Sequence, residues 1–154
     1  VKAALAVTFT DDDTLLTDLI KASRETIEKY CGISIGSQTR ECIADINQWE
    51  EIEIPYGPVI TLDAVSYKSD FAEYTAALVS EDYDSDGLDF KTFTPFTSGR
   101  WKLEYTAGYE SLPNDLKNCM VRLVAWYYEN RGDQGNIPEV LKKDLNSYKR
   151  LYFL

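Results

Sequence analysis

The sequence predicts an α+β fold, a small helical bundle with an inserted antiparallel β-sheet, and two observations carry that expectation. Apolar residues recur at steps of three and four over 12–31 and again over 113–131 and 138–150, the repeat of a helix face. Between these stretches, from about 35 to 106, the period falls to two, the repeat of a strand buried on one side. With 154 residues and 44% hydrophobic content, the chain can bury roughly 70% of its unfolded surface and reads as one domain, 1–154.

The first element is a helix over 12–31. Leu15, Leu16, Leu19, Ile20, Ser23, Ile27 and Tyr30 form one face. Asp11, Asp12 and Asp13 stand where carboxylates cap free amides and meet the positive end of the helix dipole. Gly32 follows as a C-terminal stop. Ahead of it, Val1-Lys2-Ala3-Ala4-Leu5 reads as the end of a shorter helix.

Candidate strands follow at Gln38–Ile43, Glu51–Ile54, Ile60–Lys68, Leu88–Phe93 and Arg100–Tyr105. Pro55-Tyr56-Gly57-Pro58 is a hard turn between the second and third. Tyr74–Leu78 is compatible with either strand or loop. Pro113 then suits the start of a helix, where its missing N–H costs nothing. Leu116, Cys119, Met120, Leu123, Val124 and Tyr127 are its apolar stripe, with Gly132 as the stop. Pro138 opens a last helix that carries Val140, Leu141, Leu145 and Tyr148 on one side.

Chemistry is sparse. These 154 residues contain no histidine, so Ser-His-Asp and Cys-His nucleophile systems are excluded, as are Cys/His zinc sites. Cys31, Cys42 and Cys119 lie far apart, form no CxxC, and read as small buried hydrophobes in a reducing compartment. No phosphate-binding glycine motif occurs. Asp82-Tyr83-Asp84-Ser85-Asp86-Gly87 copies the first half of an EF-hand loop, but its twelfth position is Phe93 where a bidentate Glu is needed, so it reads as a solvated turn between strands. A carboxylate hydrolase has no identifiable residue pair among the 26 acidic side chains. No catalytic residue, metal or cofactor is assigned. No signal peptide is visible, and no run reaches the ~18 apolar residues a membrane span requires.

Net charge is −10, with a pI near 4.5, which argues against a basic grip on duplex DNA. Eleven tyrosines suit cores and wet interfaces equally. Lys142, Lys143, Lys149 and Arg150 either complement a helix dipole or form a docking patch. Leu151-Tyr152-Phe153-Leu154 are four consecutive bulky apolar residues; they either fold back onto the helices or insert into a partner.

The order Tyr105-Thr106-Ala107-Gly108-Tyr109, Leu112-Pro113, Leu116-Lys117 and Trp126 through Arg131 resembles the head–tail connector (adaptor, head-completion) proteins of tailed phages. The resemblance extends over nearly the whole chain: Leu5 and Asp11–Asp13 with Leu15-Leu16 at the front, then Tyr30, Gly32 and Gln38-Thr39, then Ile52-Glu53-Ile54-Pro55, Gly57-Pro58-Val59 and Val65 through Tyr67. It implies a structural virion protein at the head–tail junction, made in the host cytoplasm. Such a protein docks under the portal, forms a homo-oligomeric ring of about twelve copies, extends the DNA channel and receives a head-closure or tail-completion protein. Double-stranded DNA would pass through the lumen without sequence-specific binding; no membrane is implied. The portal-docking residues expected on this basis are Tyr148, Lys149, Arg150, Leu151, Tyr152, Phe153 and Leu154, since aromatic and Arg anchors dominate such interfaces. The competing expectation is a monomeric protein- or peptide-binding module that uses its tyrosine-rich sheet.

Overall fold

The computed structural model describes residues 13–68, 73–79, 81–87, 90–130 and 135–150. The α+β class holds: one compact unit is helical and the other is built of antiparallel sheets.

The helical unit comprises the chain up to Cys31 and again from Ser111 to Arg150. Helix α1 spans Asp13–Cys31, α2 Asn114–Glu129 and α3 Glu139–Leu145, followed by a 3-10 turn, Asn146–Tyr148. Most of each predicted stripe is buried: Leu16, Leu19, Ser23 and Ile27 from α1, Leu116, Cys119, Leu123, Val124 and Tyr127 from α2, Leu141 and Leu145 from α3; Val140, expected on the last stripe, is instead 63% exposed. Pro113 and Pro138 each stand one residue ahead of their helix, and their carbonyls accept the first backbone bonds, from Lys117 and Lys142. Gly32 adopts a positive φ of 68° just past α1, the left-handed stop its position suggests. The last helix is shorter than 138–150, because it tightens to 3-10 and is extended by Lys149. The 1–5 helix, Asp11 and Asp12 of the cap, and Gly132 fall outside the described residues.

The sheet unit, Gly32–Glu110, contains two sheets where one was expected. The larger has the order β1-β7-β3-β4, with β1 Gln38–Ile46, β3 Val59–Lys68, β4 Thr75–Ala76 and β7 Gly99–Ala107. The smaller has the order β2-β6-β5, with β2 Ile52–Glu53, β5 Tyr83–Asp86 and β6 Thr92–Pro95. All pairings between these strands are antiparallel. Strand β7 shows the clean alternation of a half-buried strand: Trp101, Leu103, Tyr105 and Ala107 are buried, and Lys102, Glu104 and Thr106 are less so. Those four pack with Cys42, Ile46, Ile54, Val59, Val65, Tyr83 and Phe93 into one core. Trp101 is its centre, stacked on Tyr67 at 4.9 Å and edge-on to Phe93 at 5.3 Å.

Two expectations are corrected. Asp82–Gly87 is not a solvated turn, since Tyr83–Asp86 is strand β5. A single buried residue decides it: Tyr83 is 4% exposed and lies 5.1 Å from the Phe93 ring, while Asp84 and Asp86 alternate outward. The strand expected at Leu88–Phe93 begins later, at Thr92, in register with Ile52-Glu53 on one side and Ser85-Asp86 on the other. Leu88 lies outside the described residues. Tyr74–Leu78 resolves to a two-residue strand paired with Ser66-Tyr67.

The most crowded glycine of the sheet unit is Gly108. Gly108 has φ 142°, and a Cβ there would stand 2.5 Å from the Gly36 carbonyl group. Its N–H donates to Pro58 O at 2.8 Å, closing the end of β7 against the Pro55–Pro58 turn.

Candidate partner-docking surfaces

Three of the seven expected docking residues are described, all on the helical unit. The 3-10 turn ends at Tyr148, and the chain then extends at Lys149. Tyr148 is half-buried beside Asp115, Cys119, Arg122 and Asp144; burial, with Asp115 and Cys119 adding, holds its phenol above the usual range. The Lys149 ammonium sits 4.9 Å from the centre of the Tyr30 ring, a cation–π distance. The backbone N–H of Arg150 donates to Cys31 O at 2.7 Å, tying the start of the tail to the end of α1. Leu151, Tyr152, Phe153 and Leu154 lie outside the described residues.

The end of α1 is thus a junction. Tyr30 donates its hydroxyl to Asn146 Oδ1 at 3.0 Å, and the Cys31 thiol lies 3.7 Å from Leu145 O. Burial raises the Cys31 thiol to about 11, with Cys119 adding and Lys149 opposing. All three cysteines are free and buried, and burial raises each. At neutral pH they are protonated packing groups, because the thiolate is the reactive form.

Around the same helix end, Thr26, Lys29, Tyr30, Asn136, Ile137 and Lys142 line an open groove of about 410 Å³. Its floor is aromatic and aliphatic and its rim carries two ammonium groups, with Lys149 above the Tyr30 ring. Lys142 is held by Glu139 at 2.6 Å. Lys29 sits in the last turn of α1, where the negative dipole end favours a cation. Sequence reasoning singled out Lys142, Lys149 and Tyr30 separately and missed Lys29; nothing in the linear order joins 26–30, 136–137 and 142.

On the sheet unit, the solvent face of β1, β7 and β3 is a ladder of satisfied charges. Arg100 binds Asp45 through two bonds, at 2.9 and 2.7 Å, and that bond holds the Asp45 carboxyl below the usual range. Lys102 bridges Glu41 at 2.8 Å and Glu104 at 2.7 Å, which raises its own ionisation further. Asp63 accepts from Thr61 and Thr106, which lowers it likewise.

Two exposed features of the sheet unit also escaped sequence reasoning. Trp49 is 62% exposed with φ 63°, its ring 4.8 Å from Phe96. Its loop is fixed by Trp49 N–H to Pro95 O, Gln48 N–H to Ser98 Oγ, and Asn47 N–H to Glu50 Oε2. Leu78 and Val79, 57% and 59% exposed, precede Glu81 and Asp82. An indole between Gln48 and Glu50 is the one linear signal for the first; the second has the composition of an ordinary loop.

Among the described residues no helix is long and apolar enough to cross a membrane. Over residues 1–151 the sequence matches the family model for head completion proteins. No curated protein compared with it matches. Several solved structures share its fold, three of them as follows. A chain from the neck of an empty gene transfer agent (GTA) particle, computed with C6 symmetry, is 21% identical with a TM-score of 0.75, covering 99% of this chain and 88% of that one. A chain from the virion of a native GTA particle is 19% identical at 0.74, covering 96% and 83%. A chain from the neck of a native GTA particle, computed with C12 symmetry, is 19% identical at 0.70, covering 99% and 90%. At these identities the likeness is one of fold.

Proposed function

The chain belongs to the head completion protein family, and we propose that it is a structural protein of the virion that completes the head–tail junction. It acts as one head–tail connector-like domain, docks under the portal, and forms a ring that extends the DNA channel and receives a head-closure or tail-completion protein. The observation that carries this reading is the family match over residues 1–151. Neck chains from particles with C6 and C12 symmetry share the fold over nearly the whole chain, which supports cyclic assembly of about twelve copies.

Docking to the portal falls to the segment Tyr148–Leu154. Its base is anchored on α1 through the Arg150–Cys31 backbone bond, so a partner that seizes the tail meets a fixed starting point. The net charge of −10 suits a channel protein that repels phosphates and lets DNA slide. Reversing lumen-facing carboxylates should therefore slow DNA ejection; unchanged ejection would sink that part of the reading.

The test is direct. Purified protein is mixed with DNA-filled heads lacking it, in parallel with a variant truncated after Arg150, and the portal vertex is imaged. A ring with the full chain and none with the truncation is the expected result. An empty vertex at saturating protein would favour the monomeric binding module.

A further inference from the structure

The helical unit and the sheet unit carry patches of opposite sign, each beside apolar side chains. On the helical unit the groove at the end of α1 presents the half-buried Tyr30 ring beside the buried Ile137, with Lys29 and the Glu139-paired Lys142 also lining it. Among the described residues, no ion pair engages Lys29, Lys143 or Lys149. On the sheet unit Leu78 and Val79 are exposed beside Glu81, Asp82, Asp84 and Asp86, and none of these carboxylates is in an ion pair among the described residues.

The acidic patch is preformed. Asp82 N–H donates to Leu78 O at 2.9 Å, and Leu78 N–H donates back to Asp82 Oδ2 at 2.8 Å. Asp84 and Asp86 accept from the amides that follow them, at 2.8 and 2.6 Å, so their orientation is set before any partner arrives. Side chains already held in place lose little freedom on binding. The exposed Leu78 and Val79 suit the face of the Tyr30 ring, and the carboxylates suit the ammonium groups around it.

We infer that the groove at the end of α1 receives the exposed Leu78-Val79 pair and the neighbouring carboxylates of Glu81, Asp82 and Asp84 of a second copy of this chain, giving a head-to-tail contact between neighbouring subunits. This rests on the ring reading above. Two different surfaces of one chain meet, so the contact is heterologous, and a heterologous contact repeated by rotation closes into a ring. Duplex DNA is a poorer occupant: it would satisfy the lysines but has no counterpart for the apolar floor, and the net charge opposes its approach. Charge complementarity also fixes register and rejects like-charged pairings.

The experiment uses three variants of the full chain on filled heads lacking the protein. Lys29→Glu with Lys142→Glu reverses the groove; Glu81→Lys with Asp84→Lys reverses the loop; the third variant carries all four changes. None of the four residues lies in the Tyr148–Leu154 docking segment, and near-ultraviolet circular dichroism checks that each variant is folded. Each two-residue variant should lower ring occupancy at the vertex at least tenfold, and the fourfold variant should restore it. Normal rings from either two-residue variant, or no recovery in the fourfold variant, would overturn the contact. A second readout pairs Leu78→Cys with Asn136→Cys, against a low background because the native cysteines are buried. Disulfide-linked multimers are expected, and a bond formed only within one chain would overturn the inference. If the unaltered protein forms no ring, the ring reading itself fails, which is a separate result from rings that ignore the charge reversals.

Discussion

The helical unit and the sheet unit handle their surface charges in opposite ways. Across β1, β7 and β3 the charged side chains find partners on the same face: Asp45 with Arg100, Lys102 between Glu41 and Glu104, and Asp63 accepting from two threonine hydroxyls. At the end of α1, Lys29 and Lys149 gather around one tyrosine, with no carboxylate of the described residues paired to either. Most charges on the first face are matched within the lone chain, while those lysines of the second are not paired among the described residues. The interiors differ as well. The sheet core is organised by Trp101 with Tyr67, Tyr83 and Phe93, whereas the helical core is mostly aliphatic, with Tyr127 its largest member.

That contrast can be broken from the inside first. Trp101→Ala should cost about 3–5 kcal/mol, the range for removing a large buried aromatic, read as a fall in the urea midpoint. Leu123→Ala in the helical unit should cost about 2–5 kcal/mol by the same mechanism. If the two units unfold together, both substitutions shift one transition; two separate transitions would show that each unit stands by itself. Gly108→Ala comes next. The new methyl group meets the Gly36 carbonyl at 2.5 Å in a backbone region few L-residues adopt, and a loss of about 2–4 kcal/mol is expected from strain and overpacking together. A fully stable Gly108→Ala variant would mean that the turn at the end of β7 yields cheaply.

The smaller effects sharpen the comparison through pH. Cys31 is raised from 9.0 to about 11 by burial, so its contribution is complete below about 9 and is lost as pH climbs toward 11. Cys31→Ala should flatten part of the alkaline fall in melting temperature, and thiol reagents should label the native chain slowly at pH 8. Asp45 is lowered by Arg100, so its contribution is present above the ordinary carboxylate range and disappears as pH drops through the lowered value. Both partners are exposed, so Asp45→Asn should give only a slight difference at pH 7, which vanishes as acid protonates the carboxyl. A large difference at pH 7 would show that the paired ladder stabilises the sheet more than exposed pairs do.

How legible these features were follows from how local they are. The helices and β7 could be read directly, since each repeats its apolar residue often enough to show a period. Strand β5 could not: it buries Tyr83 alone, and one buried residue has no period. Strands β2 and β4 are two residues each, and their pairing partners decide them rather than their own composition. The division into two sheets was hidden for the same reason, because β2, β5 and β6 gain meaning only when Tyr83 and Phe93 meet Trp101. Tyr148, Lys149 and Arg150 were visible as candidates because they are consecutive. The groove beside Lys149 was not, being assembled from the end of α1, residues 135–137 and α3.

The backbone bond between Arg150 and Cys31 has a mechanical consequence. Three links join the last turn of α1 to the end of the chain: Arg150 N–H to Cys31 O, Tyr30 Oη to Asn146, and the Cys31 thiol to Leu145 O. A pull on the residues beyond Arg150 therefore does not simply peel a short C-terminal turn away from the protein. The load passes at once to a 19-residue helix, the longest among the described residues. A tail fastened at its outer end would find its inner end already moored to the frame.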